Sequence, residues 1–129
     1  LLEMLEQCGA GIVLDATETG QLGSCRGFDR QALENPFSEL VNAYFDSIQH
    51  AGRRPNTGFY QRLHDDIQRH KIQGIIWRRY LWCDLWHAAL AHAREELKLP
   101  IMDVAVTDTL PRDHARLLNR VQAFVEMLK

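Results

Sequence analysis

The sequence predicts an α/β protein: a three-layer parallel sheet with helices on both faces, of the flavodoxin or Rossmann-like kind. Short apolar runs of strand length alternate with longer stretches whose apolar residues follow helical spacing. The run at 99–106 is nearly continuous in apolar residues, as expected of a parallel strand covered on both faces. Polar, turn-rich loops follow these runs, and alternation of this kind is typical of a parallel sheet.

The first half of the chain is predicted to contain one strand and three helices. Residues 1–8 are apolar at positions 1, 2, 5 and 8, a helical spacing, and Gly9 is a suitable C-cap. Residues 11–15 then form a short buried strand. Pro36 after Asn35 indicates the start of a helix over 36–50. Its apolar face comprises Phe37, Leu40, Val41, Tyr44, Phe45 and Ile48, and a helix over 59–70 has Phe59, Leu63 and Ile67 on one face.

The second half is predicted to contain two strands, each followed by a helix. A buried strand over 75–77 leads into a polar, aromatic-rich turn carrying Arg78, Arg79 and Tyr80. A helix over 84–97, a strand over 99–106 and a helix over 114–129 follow. The inward face of the last helix comprises Leu117, Leu118, Val121, Phe124, Val125 and Leu128. Because the first helix lacks a strand before it, we expect a single domain, residues 1–129, that is the C-terminal piece of a longer subunit and lacks the first strand of the sheet.

Composition limits the possible partners. A net charge of −2 gives no electrostatic case for binding nucleic acid or an anionic membrane. No apolar stretch approaches the length of about 20 residues that a membrane span needs. The cysteines at positions 8, 25 and 83 are odd in number and widely spaced, without a CxxC pair. A disulfide framework is therefore not expected, and a reducing cytoplasm is the predicted location.

Cys83 is the main candidate for chemistry, because it falls where a strand ends and a helix begins. In open α/β sheets, ligands bind outside the carboxyl ends of the strands. A thiolate is the usual ligand of iron–sulfur clusters, but one cysteine binds only one iron. The simpler interpretation is a buried structural cysteine. His87, four residues later on the same helical face, could form a zinc pair with Cys83, although a tetrahedral set needs further ligands.

The glycine-containing loop over 16–27 is a second candidate, since it would follow a strand and share an edge with Cys83 in a parallel sheet. It matches neither GxGxxG nor a P-loop, so it is a weak nucleotide signature. Cys25 in this loop could face the same crevice as a second ligand. The three tryptophans at 77, 82 and 86 indicate either core packing or a dry wall around a reactive centre.

Five short segments carry a resemblance to a known family. They are Gly-Ala-Gly-Ile-Val-Leu-Asp at 9–15, Glu-Thr-Gly at 18–20, Gly-Ile-Ile-Trp at 74–77, Tyr-Leu-Trp-Cys-Asp at 80–84 and Leu-Pro-Ile-Met-Asp-Val at 99–104. Over nearly its whole length the chain resembles the C-terminal domain of the (R)-2-hydroxyacyl-CoA dehydratase and benzoyl-CoA reductase family, which includes the 2-hydroxyglutaryl-CoA dehydratase D-component. The resemblance implies a [4Fe–4S] cluster held by three cysteines of one subunit, with Cys83 matching the third.

The resemblance further implies a homologous sister subunit and an ATP-dependent activator protein that delivers one electron. The substrate, an acyl-CoA or aromatic-CoA thioester, would be reduced to a ketyl radical anion, with Thr19 and Gly20 close to the acyl group. Only one of the family's cysteine positions is filled here, and Cys25 has no counterpart. We therefore expect the isolated piece to hold no cluster and to be inactive, and we assign none of its residues a catalytic role.

A function of another class stays open, a non-catalytic flavodoxin-like interaction module. It predicts that Cys83 is enclosed by leucine and tryptophan side chains. A cluster ligand would instead be reachable from the side of the Thr19–Gly20 loop.

Overall fold

A computed structural model of the chain describes residues 1–24, 27, 35–46, 50–107 and 114–129. The elements are α1 (Leu2–Gln7), a 3₁₀ turn (Gln21–Gly23), α2 (Pro36–Val41), a π-helical turn (Asn42–Asp46), α3 (Thr57–His70), β1 (Ile75–Tyr80), α4 (Asp84–Glu96), β2 (Ile101–Val106) and α5 (His114–Met127). The α/β class is therefore confirmed. The chain divides into two compact units, Leu1–Val13 with His64–Lys129 and Leu14–Leu63, and the single domain stays a prediction.

The first unit is built on a parallel pair of strands connected by α4, as predicted. Ile75 lies opposite Ile101, and the register continues to Tyr80 opposite Val106. Because successive side chains of a strand point to opposite faces, each face can bury a separate set. One face forms a core with α1 and α5, comprising Met4, Leu5, Met102, Val104, Val121 and Val125. On the other face the Trp77 ring meets Trp86 of α4, with ring centroids 5.8 Å apart.

Helix α1 ends as the sequence predicts, at a glycine. Gly9 has φ +82°, and its N–H donates to the Glu6 carbonyl over 2.9 Å. The Ala10 N–H donates to the Leu5 carbonyl over 3.0 Å. These two bonds form a Schellman motif, which ends the helix and turns the chain away from its axis.

The predicted buried strand over 11–15 is wrong. These residues form no strand, and Ile12 and Val13 are 37% and 58% exposed. A β-branched run becomes a strand only where another backbone pairs with it. Within the described part of the chain the sheet consists of β1 and β2, which pair with each other. The apolar sequence of residues 11–15 therefore indicated a high strand propensity correctly, but it could not show whether another strand pairs with them.

Helix α2 begins as predicted, but its predicted apolar face is not buried. The Asn35 side chain accepts a hydrogen bond from the Ser38 N–H over 3.2 Å, with Pro36 at the first helical position. Phe37 and Phe45 are nevertheless 76% and 77% exposed, whereas Ala43 is buried. The π-helical turn that begins at Asn42 contains about one more residue per turn than an α-helix. Residues three or four positions apart across this turn therefore no longer lie on one face. Ile48 lies outside the described residues.

Strand β1 is longer than predicted, because Arg78, Arg79 and Tyr80 belong to it rather than to a turn. The burial alternates, with Trp77 and Arg79 buried and the residues that follow each exposed. Two consecutive arginines suggested a solvent-exposed turn. Because successive side chains of a strand point to opposite faces, only Arg79 lies in the interior. Helices α3 and α5 agree with their predicted faces, since Phe59 and Ile67 of α3 are buried, as are Val121 and Val125 of α5. In α4, Ala89 and Ala93 are buried as expected, but Leu85 is exposed.

A membrane-crossing helix is absent from the described residues, since none of their helices is both long and apolar enough.

Candidate functional site

Cys83 lies in the turn that joins the carboxyl end of β1 to α4. The Leu81 N–H donates to the Val106 carbonyl over 2.9 Å, which extends the bonding between the strands by one residue beyond β1. The Cys83 N–H donates to the Tyr80 carbonyl over 3.1 Å and closes a tight turn. Cys83 is then the N-cap residue of α4, and its carbonyl accepts from the His87 N–H over 3.0 Å. The backbone of Cys83 is thus fixed from both the sheet and the helix.

The surroundings of Cys83 are open on one side and packed on the other. Cys83 is half-buried and forms no disulfide. Trp82, immediately before it, is 83% exposed, and Leu81 and Leu85 are 42% and 49% exposed. Trp86 contacts the buried Trp77 ring edge-on, with an interplanar angle of 71°. Of the three tryptophans, Trp77 and Trp86 therefore pack between sheet and helix, while Trp82 is presented to solvent.

A complete metal site is not formed by the residues that the structure describes, since no group of three His, Cys, Asp or Glu side chains comes together. The predicted Cys83–His87 pair therefore lacks the further ligands that a zinc site needs within these residues. Cys8 is half-buried and packs against the core next to α1 and α5. Cys25 lies outside the described residues.

The loop that contains Thr19 and Gly20 is folded around Asp15. The Asp15 carboxylate accepts a hydrogen bond from the Thr17 N–H over 3.0 Å, and its carbonyl accepts from the Gln21 N–H over 2.8 Å. The Thr17 and Thr19 hydroxyls are hydrogen-bonded at 3.1 Å. A β-carbon on Gly20 would collide with the Asp15 carbonyl oxygen, so only glycine allows the loop to close.

Thr19 itself is exposed, and the Gly20 N–H already donates to the Thr17 carbonyl over 3.0 Å. The loop can therefore offer a ligand the Thr19 hydroxyl, whereas Gly20 contributes its small size rather than its amide. Both residues belong to the unit Leu14–Leu63, and Cys83 belongs to the other unit. Their common role at one site stays a prediction.

An ion pair between the buried Arg79 and the half-buried Asp103 joins the two strands, and it was not predicted from the sequence. The Arg79 Nη2 atom lies 2.8 Å from Asp103 Oδ2, with side-chain exposures of 7% and 24%. The Arg79 Nε and Nη1 atoms and Asp103 Oδ1 are buried and have no hydrogen-bond partner among the residues that the structure describes. From the other side, the Arg120 guanidinium donates to the Asp103 carbonyl over 2.8 Å. The signal in the sequence was the single acid within the apolar run of 99–106, since a buried carboxylate needs a charged partner.

These elements define an α/β protein in which a strand–helix–strand unit holds a free thiol at the strand end where such proteins bind ligands. A family model described as 2-hydroxyglutaryl-CoA dehydratase, D-component, matches residues 1–128. The chain belongs to this family, as its resemblance predicted. A search of curated proteins finds no significant match.

Proposed function

We propose that the chain is part of a subunit of an enzyme of the 2-hydroxyacyl-CoA dehydratase or benzoyl-CoA reductase type, and that Cys83 is one thiolate ligand of its [4Fe–4S] cluster. Membership in a dehydratase-component family supports the enzyme class. The observation that carries the ligand role is the half-buried Cys83 in the turn between β1 and α4. Its backbone is held by two elements, so a metal bound there would meet a sulfur with little freedom to move away.

The described residues suit such a centre in two further respects. A [4Fe–4S] cluster supplies an electron and, at an iron without a protein thiolate, a Lewis acid for a CoA thioester. Trp77 and Trp86 pack against each other between β1 and α4, the two elements that the Cys83 turn joins, and bulky rings there would help to keep water from a centre bound at that turn. The Thr19 hydroxyl would bind near the acyl group, in a loop whose shape depends on Gly20.

The proposal includes partners. The remaining cluster ligands lie outside the described residues, in a complete subunit whose parallel sheet has the three-layer, flavodoxin-like form with a further strand. A homologous sister subunit and an ATP-dependent activator complete the enzyme, which works in the cytoplasm on a 2-hydroxyacyl-CoA or an aromatic CoA. The chain by itself holds no cluster and is inactive.

Replacing the two described cysteines separately tests the ligand role. In the full-length subunit prepared without oxygen, Cys83→Ser is expected to lower bound iron and acid-labile sulfide strongly, because serine does not replace a thiolate as a soft ligand. Cys8→Ser is the matched control, since Cys8 is also half-buried but packs against the core. It should keep its iron. A Cys83→Ser subunit with its full iron and sulfide content would contradict the proposal.

The alternative of a non-catalytic interaction module predicts a different environment for Cys83. In that case leucine and tryptophan side chains would enclose the sulfur. Cys83 is instead half-buried, and the neighbouring Leu81, Trp82 and Leu85 are exposed. This arrangement favours the ligand role over the enclosed cysteine of an inert module.

A further inference from the structure

The hydrogen bonds between β1 and β2 determine which backbone groups point away from the strand pair. The Ile75 N–H donates to the Pro100 carbonyl over 3.0 Å, and the Leu81 N–H donates to the Val106 carbonyl over 2.9 Å. In a parallel ladder the bonds are evenly spaced, and every second residue of a strand directs both its N–H and its C=O to the same neighbour. The even-numbered residues of β1 and the odd-numbered residues of β2 therefore direct theirs to the two outer edges of the sheet.

The outer edge of β2 is capped by a charged side chain. Asp103 directs its carbonyl to this edge, and the guanidinium of Arg120 in α5 donates to that carbonyl over 2.8 Å. A further strand beside β2 would need the same carbonyl in the middle of its ladder. Charged side chains at the edge of a sheet are a common means of preventing further pairing. Strand β2 thus has the features of an end strand.

The outer edge of β1 has no such cap within the described part of the chain. Ile76 and Arg78 direct their N–H and C=O groups to it, and β2 is the one strand that the described residues pair with β1. The Arg78 guanidinium lies over the Tyr80 ring, 5.8 Å from its centroid, so it lies along one face of the strand rather than across its edge. The open part of the edge ends at Tyr80, whose carbonyl accepts from the Cys83 N–H.

The burial of β1 is that of an interior strand. Trp77 and Arg79 are buried on one face, and Ile76 packs on the other face against the core cluster of α1, α5 and β2. The register with β2 runs without a bulge, and β1 contains neither proline nor glycine, so the usual devices that interrupt pairing at an edge are missing from it. Two parallel strands by themselves rarely form a stable sheet. A row of N–H and C=O groups at strand spacing is satisfied by one kind of partner, an extended backbone.

Helix α1 indicates which segment supplies that backbone. Leu1 and Met4 pack in the same core cluster as Ile76, so the start of α1 lies against a face of the sheet. Elements that are consecutive in sequence are usually neighbours in space, and their connections are short. A strand that leads into α1 therefore has a short path to the sheet. Of the two outer edges, the cap by Arg120 leaves that of β1.

We propose that the outer edge of β1 pairs in parallel with the strand expected before α1 in the complete subunit, and that the outer edge of β2 stays unpaired. This inference rests on the further strand of the proposed function. The pairing uses the N–H and C=O groups of Ile76 and Arg78 and the N–H of Tyr80. It makes β1 an interior strand, so Cys83 follows a strand with neighbours on both sides. In open α/β sheets, ligands bind in the crevice outside the carboxyl ends of such strands.

Hydrogen exchange of single amides in the full-length subunit, followed by mass spectrometry with electron-transfer fragmentation, tests the pairing. The Ile76 and Arg78 amides are expected to exchange at least about tenfold more slowly than the Ala105 amide, which faces the outer edge of β2. The subunit is measured without its sister subunit and at several concentrations. Exchange at Ile76 and Arg78 as fast as at Ala105 overturns the proposal. Protection that needs the sister subunit, or that rises with concentration, also overturns it, because another chain would then supply the strand.

Proline substitutions compare the two edges directly, because proline removes one N–H and places ring atoms where a neighbouring strand would pair. Arg78 and Ala105 are both exposed, and both direct their N–H away from the β1–β2 ladder. Arg78→Pro is expected to speed exchange of the Ile76 and Tyr80 amides at least about tenfold. Ala105→Pro should leave those amides unchanged. Arg78→Met keeps the N–H and should also leave them unchanged, which separates loss of the guanidinium from loss of the bond.

Equal effects of the two prolines on the β1 amides overturn the proposal. If Arg78→Pro does not fold while Ala105→Pro and Arg78→Met do, the N–H at position 78 is required, as the proposal predicts. The exchange of the wild-type amides decides the question without any variant. Iron retained in Cys83→Ser contradicts the proposed ligand and does not alter exchange at the β1 edge, so failure of the proposed function and failure of this pairing are distinct.

Discussion

The turn at Cys83 carries the predicted ligand, the loop at Gly20 carries the predicted substrate-binding residues, and these segments of two different compact units are held in place by different means. Cys83 is connected by backbone hydrogen bonds to a strand on one side and a helix on the other. The loop from Asp15 to Ser24 is held by local hydrogen bonds within itself, two of which go to Asp15. The conformation of the Cys83 turn therefore depends on the packed core of its unit. The conformation of the Gly20 loop depends on the Asp15 side chain and on the absence of a side chain at Gly20.

The largest expected effect concerns the strand that carries the Cys83 turn. Arg79→Met leaves the half-buried Asp103 without its cation, which should lower the free energy of unfolding by about 3.5 kcal/mol, toward the low end of the cost of breaking a buried pair. Arg78→Met is the control, because Arg78 is exposed in the same strand and its guanidinium only lies over the Tyr80 ring at 5.8 Å. Urea unfolding monitored by circular dichroism measures both. Similar losses in the two variants would contradict a special role for the buried pair.

A slightly smaller effect is expected from the helix that begins at Cys83. Leu90 of α4 is 1% exposed, so Leu90→Ala should cost about 3 kcal/mol through lost burial and the cavity left behind. Leu85→Ala on the same helix changes a side chain that is 49% exposed and should cost less than about 1 kcal/mol. Denaturant midpoints of the two variants give the comparison. Equal midpoints would mean that α4 does not anchor the turn through its buried face.

The smallest global effect is expected in the Gly20 loop, and it should be local. Gly20→Ala pushes a β-carbon against the Asp15 carbonyl and opens the loop, while the stability of the rest changes by less than about 1 kcal/mol. Hydrogen exchange of the Gln21 amide, which donates to that carbonyl, should become faster. Gly27→Ala is the control, since a β-carbon there meets no atom of the described residues within 4 Å. Slow exchange retained in Gly20→Ala would show that the loop is not closed by this contact.

The parts of the fold that the sequence predicted are those whose signals are local. Gly9 ended α1, Asn35 with Pro36 began α2, and the apolar run containing Met102 and Val104 formed a parallel strand. The position of Cys83 between a strand and a helix could be predicted from the local sequence alone.

The failures concern features that depend on a partner distant in sequence. Residues 11–15 have the composition of a strand, but no described strand pairs with them. Phe37 and Phe45 have the spacing of an inward face but are exposed, and the π-helical turn that begins at Asn42 can account only for Phe45, which lies within it. The Arg79–Asp103 pair joins residues 24 positions apart, and the sequence gives no register that would connect them. A predicted site is therefore most reliable for its backbone position and least reliable for its electrostatic surroundings.

The bond from the Leu81 amide to the Val106 carbonyl has a thermodynamic consequence. It lies one residue beyond the end of β1, two residues before Cys83, and forms a rung of the ladder at the carboxyl edge of the sheet. Anything that binds the Cys83 sulfur in the folded state also favours the closed form of this rung, by linkage. Binding at Cys83 should therefore reduce fraying of the sheet edge. Slower hydrogen exchange of the Leu81 amide would report that binding.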